Sequence, residues 1–163
     1  MNYKRIGSGG TKVKGKKAAA ILFTDGKSML LLKRAGEGDY FGTWALPGGK
    51  SKDKETEIDN AIRETKEETG IDSIPGYRFA SSTHKNGHQK FTIFLYKINN
   101  KFDVKLSKEH SDWGWIDFDN LKKIKLHPKF EKEIPELLKI IRKKTTASFD
   151  EWSKITDVIK LID

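Results

Sequence analysis

The stretch from Gly49 to Ile71 reads GKSKDKETEIDNAIRETKEETGI, and it carries three glutamates at helical spacing. Glu64, Glu67 and Glu68 stand at i, i+3 and i+4, which places them on one side of a helix within about one turn. Like charges this close destabilise a helix by roughly 0.2–0.5 kcal/mol per pair, so a cation among them would stabilise it. Carboxylate oxygens suit hard cations, and the spacing therefore indicates a site for Mg²⁺ or Mn²⁺.

The same stretch predicts the helix that carries these acids, over Asp53–Thr69. Apolar or β-branched residues recur at i, i+3, i+4, i+7 and i+11, as one buried helix face requires: Ile58, Ala61, Ile62, Thr65 and Thr69. The three acids lie off this stripe, so we expect them to face solvent or a ligand. Gly70 is the expected helix stop, and the sequence Pro47-Gly48-Gly49 before the helix predicts a tight loop that can approach a metal or phosphate closely.

The stretch resembles the signature of the Nudix hydrolases, which is G-x5-E-x7-R-E-U-x-E-E-x-G-U, where U is a bulky aliphatic residue. Every fixed position of that signature is matched, by Gly49, Glu55, Arg63, Glu64, Glu67, Glu68 and Gly70. Ile71 fills the last aliphatic position, and the one departure is Thr65, which is β-branched but polar. The resemblance implies a metal-dependent hydrolase that cleaves the diphosphate of nucleoside diphosphate-X compounds.

The resemblance also implies roles for individual residues. It places the metal on Glu64, Glu67, Glu68 and the backbone carbonyl of Gly49, with Arg63 and Glu55 as orienting residues. Many Nudix enzymes carry a further acidic ligand or base near the position of Glu109, so Glu109 joins the catalytic candidates, with a surface acid as the alternative. Asp112 is a weaker candidate of the same kind.

Three residues near the loop are candidates for substrate binding. Lys33 and Arg34 could meet a phosphate or form a solvated strand end, and Trp44 could line the nucleotide pocket or serve as a half-buried structural residue. His84, His88 and His110 lack the spacing of a zinc site, and exposed loop positions are expected for them. Lys122, Lys123 and Lys125 are expected to form a solvated face.

Composition narrows the class of protein. The chain has 163 residues, of which 36% are hydrophobic and 34% charged, and this length suits one domain. No apolar run reaches the length of a membrane span, and the basic start of the chain lacks the apolar core of a secretory signal. The absence of cysteine excludes disulfides and thiolate catalysis and favours a cytoplasmic protein. The net charge of +9 fits a phosphate-rich substrate; long nucleic acid is possible but not favoured, because no stacking motif accompanies the lysines.

The patterning predicts an α/β protein. Two apolar runs, Ala18–Thr24 and Ser28–Arg34, flank Asp25-Gly26 and predict a β-hairpin. Further strands are predicted at Tyr77–Ser81, Phe91–Ile98 and Trp113–Ile116, with a polar connection over His84–Lys90. A helix bent at Pro135 is predicted from His127 towards Lys144, and an amphipathic helix follows from Ser148.

The resemblance sharpens this class to the Nudix α/β/α sandwich, a mixed sheet between helices, with an extra C-terminal helix. We expect a flexible basic lead-in at residues 1–15 and a single domain over 16–163, with the helical extension starting at about 146. Core packing is the favoured role of that last helix, and membrane or subunit contact is the alternative. Both a monomer and a homodimer remain open.

The signature does not identify X, the group attached to the nucleoside diphosphate. Secondary motifs of the NADH, ADP-ribose, diadenosine polyphosphate and coenzyme A branches are missing; position 86 is Asn, for example, where the ADP-ribose branch has a nearby proline. By exclusion, the leading substrates are (d)NTPs or oxidised nucleotides, cleaved to the monophosphate and pyrophosphate. The alternatives are capped RNA ends, ADP-ribose or dinucleotides and, from another class, a non-catalytic nucleotide-binding module.

Overall fold

A mixed sheet of seven strands organises the part of the chain that the computed structural model describes, residues 15–144. The strands are β1 (Lys16–Thr24), β2 (Ser28–Arg34), β3 (Trp44–Ala45), β4 (Gly48–Lys50), β5 (Tyr77–Asn86), β6 (Gln89–Lys97) and β7 (His110–Asp117). The helices are α1 (Glu57–Thr69), a 3₁₀ turn (Phe118–Lys123), α2 (Pro128–Glu131) and a further segment, α3, that is helical over 134–144. The lead-in before residue 15 and the helix predicted from Ser148 lie outside the described residues.

Strand β1 is the centre of the sheet. It pairs in parallel with β6 along its whole length, from Lys16 opposite Gln89 to Thr24 opposite Lys97, and antiparallel with β4. The main path of the sheet is β3-β2-β1-β6-β5, and β7 pairs antiparallel with β2. The predicted hairpin forms, but β1 and β2 pair only where they meet the turn, through Thr24 and Met29. They diverge beyond it because β4 and β7 supply their further partners.

Each face of the sheet is covered by its own helical layer, as the α/β/α expectation requires. Alternate residues of β1 and β2 point to opposite faces. Ala19, Ile21, Phe23, Leu30 and Leu32 pack with Ala61 of α1. The opposite face packs against the 3₁₀ turn, α2 and α3; its buried residues include Leu22, Leu31, Leu121, Phe130, Leu137 and Ile141. Among residues 15–144, no helix is both long enough and apolar enough to cross a membrane.

Several predicted element bounds were wrong, each for a local reason. The tight loop predicted at Pro47-Gly48-Gly49 gives way to strand β4 from Gly48, because β4 pairs antiparallel with β1. Helix α1 begins at Glu57 rather than Asp53, because Thr56 caps it by accepting a hydrogen bond from the Asp59 amide at 3.2 Å. The predicted connection over His84–Lys90 is mostly strand, since β5 and β6 extend to a tight turn at Gly87.

The predicted helix from His127 to Lys144 is also not continuous. It breaks at residues 132 and 133, ahead of the expected bend at Pro135. Pro135 instead occupies the first turn of α3, where its missing N–H would have no intrahelical partner.

Candidate active site

Two glycines of β4 bring this strand close to α1. The Gly48 amide donates to Glu68 Oε1 at 2.9 Å. A Cβ atom on Gly48 would lie 2.6 Å from the Ala20 Cβ, and one on Gly49 would lie 2.6 Å from the Glu64 Cδ. Any larger residue at either position would therefore displace the strand or the glutamate.

Three carboxylates converge beside this loop. Oxygens of Glu64, Glu68 and Glu109 all lie within 4.8 Å of one another, and we call this group the acidic cluster. Glu68 is only 4% exposed, Glu64 is half-buried and Glu109 is exposed. Glu109 reaches the cluster from the residue before β7, where its carbonyl accepts a hydrogen bond from the Ala35 amide at 2.9 Å.

The electrostatics of the acidic cluster leave Glu68 short of positive charge, although Arg63 pairs with Glu64. Burial raises the pKa of Glu68 to about 9, and hydrogen bonding and repulsion from Glu64 and repulsion from Glu109 act in the same direction. The Gly48 amide opposes this shift but does not cancel it. Oxygen-only ligands around a buried carboxylate that needs a counter-charge fit Mg²⁺ or Mn²⁺. The cluster therefore suits a divalent cation.

Arg63 organises the opposite side of the loop and helix. Its guanidinium binds Glu55 twice, at 2.7 Å through Nε and 3.0 Å through Nη2, and Nη1 donates to Glu64 and Glu67 at 2.8 and 3.1 Å. Nη2 also donates to the Lys50 carbonyl at 3.1 Å. We call this the Arg63 clamp. Hydrogen bonds from Arg63 and from the Lys52 amide lower the pKa of Glu55 to about 2, and Glu55 in turn raises the pKa of Arg63.

Asn60 is a contributor that sequence reasoning missed. Its side chain is fully buried, and Nδ2 donates to the Gly49 carbonyl at 3.2 Å while Oδ1 accepts from Arg63 Nη2 at 3.4 Å. Asn60 thus links β4 to the Arg63 clamp. The sequence did offer one signal for Asn60. It directly precedes Ala61, which belongs to the apolar stripe that was predicted to be buried.

The remaining acidic candidates lie outside the cluster. The Glu67 side chain is 54% exposed and contacts Arg63. Asp112 is exposed and accepts a hydrogen bond from the Trp113 amide at 2.8 Å. Gly70 ends α1 as predicted, with a left-handed φ of 74° and an amide that donates to the Lys66 carbonyl.

The substrate-binding candidates lie at the β2–β3 side of the sheet. Arg34 is exposed and Lys33 half-buried at the end of β2. Trp44 is half-buried and packs against the core on the α3 face, which favours its structural interpretation. Lys122, Lys123 and Lys125 are exposed, in agreement with a solvated face.

The histidine prediction was wrong for two of its three residues. His88 is exposed beside a turn, but His84 lies in β5 and pairs with Glu133 Oε2 at 2.6 Å. His110 is half-buried in β7, where burial and the nearby charge of Arg34 lower its pKa to about 4. Within residues 15–144, the acidic cluster is the one group of side chains with metal-binding geometry, and no histidine belongs to it.

Comparison with known proteins decides the family. The model of the NUDIX domain matches residues 14–138. The chain belongs to the NUDIX family. The seven-stranded mixed sheet and its two helical layers are thus the fold of a NUDIX domain, and the predicted α/β class is confirmed.

Relatives with assigned activities are similar over part of their length. The chain is 34% identical over 87 residues to a bis(5'-nucleosyl)-tetraphosphatase (asymmetrical) of Caenorhabditis elegans, covering 50% of this chain and 63% of that protein. It is 29% identical over 97 residues to the CTP pyrophosphohydrolase of Escherichia coli, covering 60% and 71%. A crystal structure of a C. elegans Ap4A hydrolase binary complex matches with a TM-score of 0.59 and 27% identity, over 83% of this chain and 98% of that one. The chain thus spans about two thirds of the length of these two curated relatives.

Proposed function

We propose that this NUDIX protein is a metal-dependent hydrolase of nucleoside polyphosphates, with (d)NTPs or oxidised nucleotides as leading substrates and the monophosphate and pyrophosphate as products. The acidic cluster carries this proposal, because it sets three carboxylates beside two glycines that pack closely against Ala20 and Glu64. An intact cluster also argues against a non-catalytic binding module, since a protein that only binds nucleotide has no need of a buried and uncompensated Glu68.

The residues that would hold Mg²⁺ or Mn²⁺ are Glu64, Glu68 and Glu109, and the signature adds the Gly49 carbonyl. That carbonyl accepts from Asn60, but a carbonyl has a second lone pair available. A bound divalent cation would neutralise the diphosphate and lower the pKa of a coordinated water. Glu67 lies at the rim of the site, where a bound cation or a substrate could recruit it.

The protein's own groups supply positioning, on which phosphoryl transfer mainly depends. Arg63 fixes the orientation of Glu64 through Nη1 while Glu55 holds the guanidinium from behind. Glu109 is the exposed member of the cluster, so a water or substrate can reach it directly. Arg34 and Lys33, at the end of β2, can meet the distal phosphates.

A second candidate substrate is a dinucleoside tetraphosphate. The observation in its favour is the likeness to a C. elegans tetraphosphatase in sequence and to a C. elegans Ap4A hydrolase in structure. The diadenosine polyphosphate branch has a tyrosine near the position of Asn86, which is missing here, so we place this substrate second.

The test is product analysis with a panel of (d)NTPs, 8-oxo-nucleotides, Ap4A, ADP-ribose and capped RNA, in Mg²⁺, Mn²⁺ or EDTA. We expect monophosphate and pyrophosphate from a triphosphate only when metal is added. We expect RNA binding to be weak and steeply salt-dependent, because the basic residues carry no stacking motif. Failure to cleave any member of the panel would refute the proposed enzyme, and preferred release of capped nucleotide would replace nucleotide-pool hydrolysis with decapping.

A further inference from the structure

The loop between β2 and β3, residues 35–43, is closed at its base and presents two aromatic residues at its tip. The Arg34 amide donates to the Thr43 carbonyl at 2.9 Å, and the Gly42 amide donates back to the Arg34 carbonyl at 3.0 Å. The Thr43 hydroxyl and amide both donate to the Tyr40 carbonyl, at 2.7 and 3.1 Å. The tip therefore has a defined conformation, although Tyr40 is 41% and Phe41 60% exposed.

Tyr40 is held against a second ring. Its backbone is left-handed, with a φ of 67°, which is uncommon for a residue with a large side chain. Its ring lies 4.1 Å from the His127 ring, centroid to centroid, with an angle of 40° between the planes. His127 is anchored in turn by its amide, which donates to the Trp44 carbonyl at 2.9 Å. We call the two rings the aromatic platform.

The His127 ring is an uncharged partner in this platform. Its Nδ1 accepts a hydrogen bond from the Lys129 amide at 3.1 Å, so the ring proton is on Nε2. Burial lowers the pKa of His127, and the positive charges of Arg34 and Lys129 lower it further. At neutral pH the platform is thus a neutral aromatic surface whose Tyr40 part remains accessible to a flat ligand.

The aromatic platform lies on the Arg34 side of the acidic cluster. Arg34 lies opposite His110 where β2 pairs with β7, and His110 directly follows Glu109 of the acidic cluster. The charge of Arg34 also reaches the His127 ring. The backbone joins the same features, because the Ala35 amide, at the start of the loop, donates to the Glu109 carbonyl. Across the surface, the acidic cluster is therefore followed by the cationic Arg34 and then by the neutral aromatic rings.

We propose that the aromatic platform stacks against the nucleobase of the nucleotide, while Arg34 meets its phosphates and the acidic cluster faces the scissile anhydride. The inference rests on the proposed function, since it assigns the base end of the same site. Stacking on an aromatic side chain accepts any base, and each stacked base contributes substantially to binding. A protein partner is disfavoured, because the exposed rings of Tyr40 and Phe41 offer far less area than the roughly 800 Å² that each partner buries in a stable interface.

The test compares Tyr40→Ala with Tyr40→Phe and with a matched control, Tyr77→Ala. Tyr77 is 55% exposed and begins β5, at the opposite edge of the sheet from the loop. We expect Tyr40→Ala to raise the KM for a nucleoside triphosphate by roughly 5- to 100-fold with a much smaller change in kcat. Tyr77→Ala should keep the wild-type KM, and Tyr40→Phe, which retains the ring, should lose less than Tyr40→Ala. His127→Asn, which retains an acceptor for the Lys129 amide but lacks the ring, should raise the KM in the same direction as Tyr40→Ala.

Calorimetric titration of the full-length protein with AMP, CMP and inorganic pyrophosphate separates base binding from turnover. We expect Tyr40→Ala to weaken both monophosphates and leave pyrophosphate unchanged. If the wild type hydrolyses nothing yet shows this pattern, the proposed function fails and the platform stands. An active Tyr40→Ala protein with unchanged KM and unchanged AMP affinity overturns the platform, as does an equal loss in Tyr77→Ala. If Tyr40→Ala instead alters the oligomeric state on size-exclusion chromatography while KM is unchanged, the patch belongs to a contact between two copies.

Discussion

The Arg63 clamp and the acidic cluster lie on neighbouring sides of one helix, and they treat their carboxylates in opposite ways. Glu55 in the clamp has a guanidinium bound to both of its oxygens, and its pKa falls to about 2. Glu68 in the cluster is buried among other acids, and its pKa rises to about 9. This difference shows that the chain supplies a counter-charge for Glu55 and leaves the counter-charge of Glu68 to a ligand. The clamp is built to fix geometry, and the cluster is built to bind a cation.

The strongest way to break this comparison is Glu68→Gln, with Glu57→Gln as the control on the same helix. Glu57 is a partly exposed residue that pairs with Lys17 and Lys90, away from the cluster. We expect Glu68→Gln to lower kcat on the order of 10²–10³-fold, because cation stabilisation of the transition state contributes several kcal/mol. Its melting temperature without metal should stay the same or rise, since a buried acid is removed. Near wild-type turnover in saturating metal would exclude Glu68 from the catalytic set.

Glu67→Gln sharpens the boundary between the two regions. The signature places Glu67 among the metal ligands, whereas the structure leaves it exposed and on Arg63. We therefore expect a loss of turnover that is smaller than that of Glu68→Gln and is partly recovered by added metal. Measuring kcat against Mg²⁺ concentration for both variants checks this order. A loss equal to that of Glu68→Gln at every metal concentration would make Glu67 a full member of the cluster.

The clamp itself is tested by Arg63→Lys. Lysine keeps the positive charge but cannot bind Glu55 through two parallel hydrogen bonds while reaching Glu64 and the Lys50 carbonyl. We expect a melting temperature several degrees lower, and a kcat lower than wild type because Glu64 loses its orientation. Thermal unfolding and turnover of the same preparation measure both effects. A variant that loses activity while its stability and metal requirement match wild type would assign Arg63 a direct role with substrate.

The pH dependence of stability should have opposite signs for the two regions. The unfolded state loses its Glu68 proton near pH 4.5 and the folded state near pH 9, so without metal this residue makes stability fall as pH rises across that window. Glu55 has a lowered folded pKa, so its contribution is complete above pH 4.5 and is lost as pH falls towards 2. Unfolding curves in EDTA should show that Glu68→Gln removes the first slope and Glu55→Gln the second. A wild-type slope retained by Glu68→Gln would contradict the raised pKa.

The smallest expected effect concerns Thr65, the one departure from the signature. Its hydroxyl is buried and, among the described residues, has no hydrogen-bond partner. Thr65→Val replaces that hydroxyl with a methyl group of similar size, and we expect the melting temperature to rise by about 2–4 °C for each kcal/mol gained. Because Thr65 lies on the apolar stripe, kcat should be unchanged. A lower melting temperature would mean that the hydroxyl has a partner in solution.

Local rules predicted the parts of the site that are local. The apolar stripe of α1, the stop at Gly70 and the i+4 contact from Arg63 to Glu67 all follow from helical spacing within one segment. The start of α1 was predicted at Asp53, within a run of charged residues, but the cap at Thr56 sets it at Glu57. The family resemblance pointed to Glu109, which no local spacing would have brought to the helix.

The properties that were missed depend on distant pairing. The sequence placed all three helix acids on an open side, yet Glu68 is buried and accepts a hydrogen bond from Gly48 of β4, a strand that β1 holds against α1. The buried side chain of Asn60 bonds to Gly49 of the same strand. His84 was expected in an exposed connection, but β5 extends through it and brings it to Glu133 beside α3.

The central claim is that the acidic cluster binds a divalent cation. The most direct test is a titration of the nucleotide-free protein with Mn²⁺ near neutral pH, monitored by electron paramagnetic resonance. Wild type and Glu57→Gln should bind Mn²⁺ with equal affinity, and binding should release a proton from Glu68, so the affinity should increase with pH. Glu68→Gln should bind at least roughly tenfold more weakly and lose that pH dependence. Equal affinity in all three proteins would contradict the account, because the acidic cluster would then not be the cation site.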